Sequence, residues 1–400
     1  MKGKTPHLFI YSVVSIIVLL GAIELTTRTI SWLSGNGFTL SLHELDPYDR
    51  RIKDIYQWHP FTGFTFKPNI RFAGSHPNQE KKSARSTDKH GFLSRNNDLE
   101  YRKPPNEIRI ATIGGSTTAS INLEYDQNWP GYIGNLLKDE FPAKDIRVIN
   151  AGTPGFDTAQ GIGNLALRVM PFNPDIVIIY HAYNDLKAIR PNRTFRPDYS
   201  HLHTAPYGEH KEPHLLIKLL NNSMFYVRMR NSYREHKNAV DKYEQLNLRG
   251  KGKNRLSHVP QEALETFKQN IRRMIAIARA GNAKVILSTF ASLHNPKLDW
   301  SQPETFHSSS EFQKRCLGGI IHFNPGLNVE GVFDGLSRYN ALLREVAAQE
   351  KCSLVDNANL IPHEDQYFVD RVHFSNLGAR RMALNLFPAV ADLMRGSNLN

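Results

Sequence analysis

Cysteine is nearly missing: the chain has two among its 400 residues, Cys316 and Cys352. That excludes a disulfide-dense scaffold and a cysteine-based metal cluster, and leaves one bridge or two free thiols as alternatives. There is no CxxC pair, internal repeat or low-complexity tract, and no nucleic-acid-binding module, so nucleic acid is not an expected partner. Negative charge is in short supply. The 38 Asp and Glu stand against 50 Lys and Arg, a formal net charge of +12. Between Lys187 and Arg255 there are fifteen basic and six acidic residues, so this window supplies nine of the twelve charges. Such a stretch is either a site for an anionic polymer or lipid, or a solvated face. What remains is ordinary: 40% hydrophobic and 22% charged residues can bury a sound core.

Long apolar runs are also absent, with one exception. LFIYSVVSIIVLLGAI, Leu8 to Ile23, is sixteen residues without a charge, preceded by Lys2 and Lys4. As a helix it spans about 24 Å, short of the ~30 Å hydrocarbon core, and Glu24 and Arg28 would snorkel to complete the crossing. No A-x-A-like cleavage site follows, since Ile23 is bulky where a small residue is needed, so an uncleaved anchor is expected rather than a signal peptide. The leading lysines place the N-terminus in the cytoplasm and the rest of the chain outside, periplasmic or extracellular.

Residues 1–30 therefore read as tail and transmembrane anchor, and 31–106 as an accessory stretch of loops and short strands. From residue 107 to the end, strands alternate with helices. IRIATIG, IRVINAG, DIVIIYHAYND, KVILSTF and CSLVDN read as five strands, with amphipathic helices between and after them. This alternation predicts a parallel five-stranded sheet covered by helices on both faces, interrupted by insertions at about 188–259 and 292–325.

Chemistry in such a sheet collects past the C-terminal strand ends. The first strand ends in Gly114, Gly115 and Ser116, a sharp turn that would expose the serine. No lysine follows, which excludes a Walker-type phosphate loop, and Thr118 stands where a G-x-S-x-G elbow needs glycine. Alone, the motif describes a turn serine without catalytic duty better than a nucleophile. The second strand end, INAGTPGFDT, carries Gly152, either a close-approach position or a simple turn. The third, HAYNDL, carries Asn184 and Asp185, either an anion-stabilising amide or an Asx turn. Near the C-terminus, Asp370 and His373 have the spacing by which a carboxylate orients an imidazole. One D-x-x-H match is expected by chance in a chain with 17 histidines, so the pair gains meaning only beside the others. Together they supply nucleophile, base, orienting acid and anion donors for acyl transfer.

GGS at Gly114–Ser116, NAG at Asn150–Gly152, AYND at Ala182–Asp185 and DRVH at Asp370–His373, in that order, resemble the four blocks of the SGNH (GDSL-like) hydrolase family. The resemblance runs from about Ile108 to the C-terminus and implies a three-layer α/β/α, flavodoxin-like domain. It also implies a serine esterase in which Ser116 is the nucleophile, His373 its base and Asp370 the orienting carboxylate. The backbone N–H groups of Ser116 and Gly152 and the side chain of Asn184 would form the oxyanion hole. Two positions depart from the family pattern. Gly115 replaces the usual aspartate, which removes a group that orders the nucleophile turn, and Ala182 replaces the usual glycine, which narrows the pocket.

The expected activity is extracytoplasmic removal of acyl groups through an acyl-serine intermediate, with a small molecule or an envelope glycan as substrate. An O-acyltransferase using the same triad and a catalytically silent glycan-binding protein are the alternatives. No cofactor and no metal is expected.

Overall fold

The architecture is that of a computed structural model, which describes residues 5–34, 38, 54–73, 84–203, 220, 222–230, 232–233, 255–300 and 302–396. The chain divides into two compact units, one of residues 1–55 and 208–241, the other of 56–207 and 242–400. Much of the basic window, 204–219 and 234–254 in particular, lies outside the described residues.

In the first unit a single helix, α1 (Thr5–Leu33), carries the apolar run. Its membrane-length portion is longer than the uncharged stretch alone: Phe9–Leu33, 25 residues with mean hydropathy 2.2. At 1.5 Å per residue this spans roughly 37 Å, enough by length and composition to cross a bilayer, as signal sequences also can. Glu24 and Arg28 pair with each other (Nε to Oε1, 2.7 Å). The Glu24 carboxylate also accepts from the Ser223 hydroxyl at 2.7 Å and from the N–H groups of Met224 and Phe225 at 2.8 and 3.1 Å. A charged residue in an apolar helix is thus partnered within its own unit.

The second unit is built on one parallel sheet. Its strands are β5 (Glu107–Gly114), β6 (Asp145–Asn150), β7 (Ile176–Tyr180), β8 (Lys284–Ser288) and β9 (Ser353–Val355), in the spatial order β6-β5-β7-β8-β9. Every neighbouring pair is parallel. On one face lie α2 (Trp129–Glu140) and α7 (Asn376–Gly396). On the other lie α3 (Thr158–Asn164), α4 (Gln261–Ala280) and α6 (Val329–Gln349). With helices on both faces, β5 and β7 are buried along their whole length, as parallel strands are. Arg109 in β5 is also buried, held by Glu107 and by donation to the Phe172 carbonyl at 2.7 Å. A guanidinium is tolerated in such a place only when paired.

The short strands β1 (Tyr56–His59) with β2 (Gly63–Phe66), and β3 (Arg71–Ala73) with β4 (Ala84–Ser86), form two antiparallel pairs in this same unit. The second insertion contains α5 (Glu311–Phe323). Helix α3 is α-helical to Asn164 and widens into a π turn over Leu165–Val169. Both cysteines are free, and burial pushes the Cys316 thiol up to about 12.

Candidate active site

Strand β5 ends where its neighbours leave no room for a side chain. A Cβ on Gly114 would lie 2.0 Å from Thr118 Oγ1 and 2.5 Å from the Tyr180 carbonyl. The chain turns at Gly115 into a single helical turn, Ser116–Ala119, whose Thr118 and Ala119 N–H groups donate to the Gly115 carbonyl at 3.1 and 3.0 Å. Trp129 Nε1 and Ser120 Oγ both donate to the Thr117 carbonyl, at 3.0 and 2.9 Å. Asn122 Nδ2 donates to the Phe374 carbonyl at 2.8 Å, tying this turn to the loop that carries His373. These bonds order the turn that Gly115 leads. Gly115 has its own steric reason: a Cβ there would sit 2.6 Å from Asn184 Nδ2.

The C-terminal loop meets this turn directly. Asp370 Oδ1 accepts the N–H groups of Val372 and His373, each at 2.8 Å, and Oδ2 holds His373 Nδ1 at 2.7 Å. His373 Nε2 lies 2.8 Å from Ser116 Oγ. With the carboxylate on Nδ1, that nitrogen carries the hydrogen and Nε2 is left to accept from the serine hydroxyl. A serine and a histidine 257 positions apart thus join Asp370 in one continuous hydrogen-bonded chain. The Ser375 hydroxyl accepts the Gly378 N–H at 3.2 Å at the start of α7.

The anion donors are placed less uniformly. Asn184 opens onto the pocket above Ser116 and donates to the Phe156 carbonyl at 2.8 Å, leaving one amide hydrogen. Ser116 leads its turn, and its N–H donates to nothing among the described residues. Gly152 departs from expectation: its N–H donates to Asn150 Oδ1 at 3.1 Å, and it does not line the pocket. A Cβ there would meet Ala119 N at 2.3 Å, so its glycine serves close packing under the serine turn. Three residues on, Gly155 has φ +90° in a turn closed by Phe156 N–H to the Thr153 carbonyl at 3.2 Å. Its N–H is uncommitted among the described residues, and the next carbonyl, that of Phe156, is the one Asn184 holds. Pro154 followed by a left-handed glycine was a sequence signal for this type II turn.

The pocket is lined by Gly115 to Thr117, Tyr180 to Asn184, Phe290 and Val372, and its interior is about 10 Å³, room for one water-sized group. The methyl of Ala182 forms part of that wall. Burial pushes the His181 imidazole down to about 4, so it is a neutral wall rather than a second base.

Sequence reasoning missed the surroundings. Arg371, inside the D-x-x-H motif, is buried, donates through Nε to the Tyr183 hydroxyl at 2.8 Å and stacks on Phe323 at 3.9 Å. A second Asp–His pair, Asp157 with His203 at 2.7 Å, lies beside buried Asp185. Asp185 Oδ1 accepts from Thr158 and from the Tyr199 hydroxyl at 3.0 Å. Burial, reinforced by the Asp157 charge, pushes the Asp185 carboxyl up to about 7.

A comparison with curated proteins returns no match. Among solved structures, the chain is similar to the acetyl xylan esterase AlAXEase, at 17% identity over 71% of this chain and 100% of that one, with a TM-score of 0.38. It is similar to a putative acylhydrolase from Bacteroides fragilis, at 17% identity over 74% and 93%, TM-score 0.39. A third is a variant of Axe2, an acetyl xylan esterase from Geobacillus stearothermophilus, at 14% over 71% and 94%, TM-score 0.40. These identities are too low to carry a residue or a substrate across. The family match stands on the sequence itself: the model of the GDSL-like Lipase/Acylhydrolase family matches residues 112–381. Spanning more than half of the chain and every strand end described above, that match shows that the chain belongs to the GDSL-like lipase/acylhydrolase family, the SGNH serine hydrolases that act on esters.

Proposed function

We infer that the protein removes short acyl groups, of which acetyl is the model, from hydroxyls of an envelope glycan outside the cytoplasm. The observation that carries this reading is the Ser116–His373–Asp370 chain, with links of 2.8 and 2.7 Å, at the mouth of a pocket with room for one water-sized group. Ser116 Oγ attacks the ester carbonyl while His373 Nε2 takes its proton, and Asp370 holds the resulting imidazolium. The tetrahedral oxyanion is met by the Ser116 N–H and the free hydrogen of Asn184, with the Gly155 N–H in the place expected of Gly152. His373 then protonates the departing alcohol, and the same imidazole activates the water that releases the acyl group.

The narrow pocket supports a short acyl chain, because about 10 Å³ admits a methyl-sized group, whereas a bulky alcohol stays outside. The apolar α1 and the lysines that precede it support an anchored protein with its catalytic unit across the membrane. Labelling with a fluorophosphonate, beside Ser116→Ala, tests the nucleophile. Labelling that disappears with the serine and acetyl-ester turnover that vanishes with it are expected; a folded wild-type protein that neither labels nor turns over acetyl esters would overturn the reading.

A further inference from the structure

The 3₁₀ turn that presents Asn184, Tyr183–Ala188, carries a cation that the acyl-transfer chemistry leaves unused. In a 3₁₀ helix residues three apart eclipse each other, at a rise of about 2 Å each. Lys187 therefore stands on the same side of the turn as Asn184, about 6 Å further along it. Its ammonium lies 5.8 Å from the centre of the Phe323 ring, and makes no hydrogen bond or ion pair among the described residues. Phe323 is 45% exposed, and its ring also carries the Arg371 guanidinium at 3.9 Å. Arg371 in turn is bonded to Tyr183, a wall of the nucleophile pocket, and follows Asp370 in the chain. Two cations and an open aromatic ring thus adjoin the serine site. Arg371 lies 3.9 Å from the Asp370 carboxylate, whereas Lys187 has no such partner among the described residues.

The acids whose charges act on Lys187 are already committed. Asp157 accepts the Gln160 N–H at 3.0 Å and holds His203, while Asp185 accepts from Thr158 and Tyr199. Burial, together with the Arg371 charge, pushes the Lys187 ammonium down to about 8, against the opposing charge of Asp157. A half-buried ammonium costs free energy unless an anion joins it.

We propose that Lys187, with Arg371 and the Phe323 ring, forms a subsite for a negatively charged group on the alcohol side of the ester. The substrate is then an acylated acidic carbohydrate, its charge a carboxylate or a phosphate. The acyl group enters the narrow pocket; the sugar lies on the exposed part of Phe323 while its anion meets Lys187. This rests on the esterase reading above, and deepens it.

The test compares the acetyl esters of three para-substituted phenols: 4-acetoxybenzoate, its neutral methyl ester, and 4-acetoxyphenyl phosphate. The full-length protein in detergent is expected to prefer the anionic esters, and the preference over the methyl ester to fall about tenfold in Lys187→Ala, mainly through KM. Lys187→Arg is expected to restore it, and 0.5 M salt to weaken it. Preference for the benzoate alone points to a uronic-type carboxylate, preference for the phosphate alone to a phosphorylated sugar; either supports the subsite. Turnover of all three esters with a preference that Lys187→Ala does not change overturns the subsite and leaves the esterase standing. No turnover of any ester, with no fluorophosphonate labelling, overturns both.

Discussion

Two Asp–His pairs among the described residues share a 2.7 Å separation, Asp370–His373 and Asp157–His203, and they differ in which ring nitrogen is held and in what the other one faces. In the first, the carboxylate takes Nδ1 and leaves Nε2 against the Ser116 hydroxyl. In the second, the carboxylate takes Nε2, and its other oxygen accepts the Gln160 N–H as the cap of α3. His373 is a bridge between an acid and a nucleophile, whereas His203 ends on a structural carboxylate beside buried Asp185. Hydrogen-bond length alone therefore does not identify a catalytic pair. What the far nitrogen of the imidazole faces does.

The largest expected effect tests that distinction head on. Ser116→Ala and His373→Ala are each expected to lower kcat for an acetyl ester by about 10³-fold or more, with the unfolding midpoint little changed. His203→Ala is expected to cost less than about tenfold. Equal losses at His203 and His373 would break the comparison and send the search for the base back to the sheet edge. Next in size is Asn184→Ala, expected to lower kcat by about 10²-fold as one oxyanion donor is removed. Gly115→Ala is expected to lower it by about tenfold, because the added methyl carbon would meet Asn184 Nδ2 at 2.6 Å and push the amide aside. Steady-state kinetics and a thermal melt on each variant separate these from misfolding. Acyl length sharpens the picture further: with about 10 Å³ of room, acetyl esters are expected to exceed octanoyl esters by at least about tenfold in kcat/KM.

The contrast also explains what could be read in advance. The sheet was legible because the strands 107–114, 176–180 and 284–288 are short β-branched runs bounded by turn residues, and helices of clear period lie between them. Ser116, Asn184, Asp370 and His373 were legible because each sits at a strand end or helix start with a local motif. The commitment of the Gly152 N–H to Asn150 was not legible, because a glycine that makes close backbone packing and one that frees an N–H look alike in sequence. Asp157 and His203 are 46 residues apart in sequence, and Lys187 and Phe323 more than a hundred. No local pattern joins either pair, since only the fold of the insertions brings them together.

The smallest effect concerns stability and the buried acid beside the second pair. The Asp185 carboxyl is pushed up to about 7, from an ordinary value of 3.8, by burial and then by the Asp157 charge. A folded state that keeps a proton the unfolded chain has lost becomes less stable as pH rises, here between about pH 4 and 7. At His203 burial opposes the positive charge, but the hydrogen bond and charge of Asp157 outweigh it and hold the imidazole above its usual 6.5. Its contribution is whole below that value and is lost as pH rises through the folded pKa, so both groups act in the same direction. The thermal midpoint is therefore expected to fall by a few degrees between pH 5.5 and 8. Asp185→Asn keeps an oxygen for Tyr199 and Thr158 but has no proton to lose, so its midpoint should fall less steeply over the same range. A variant slope equal to the wild-type slope would mean that Asp185 is ionised in the folded protein, and that the buried acid beside Asn184 is a charge rather than a neutral hydrogen-bond partner.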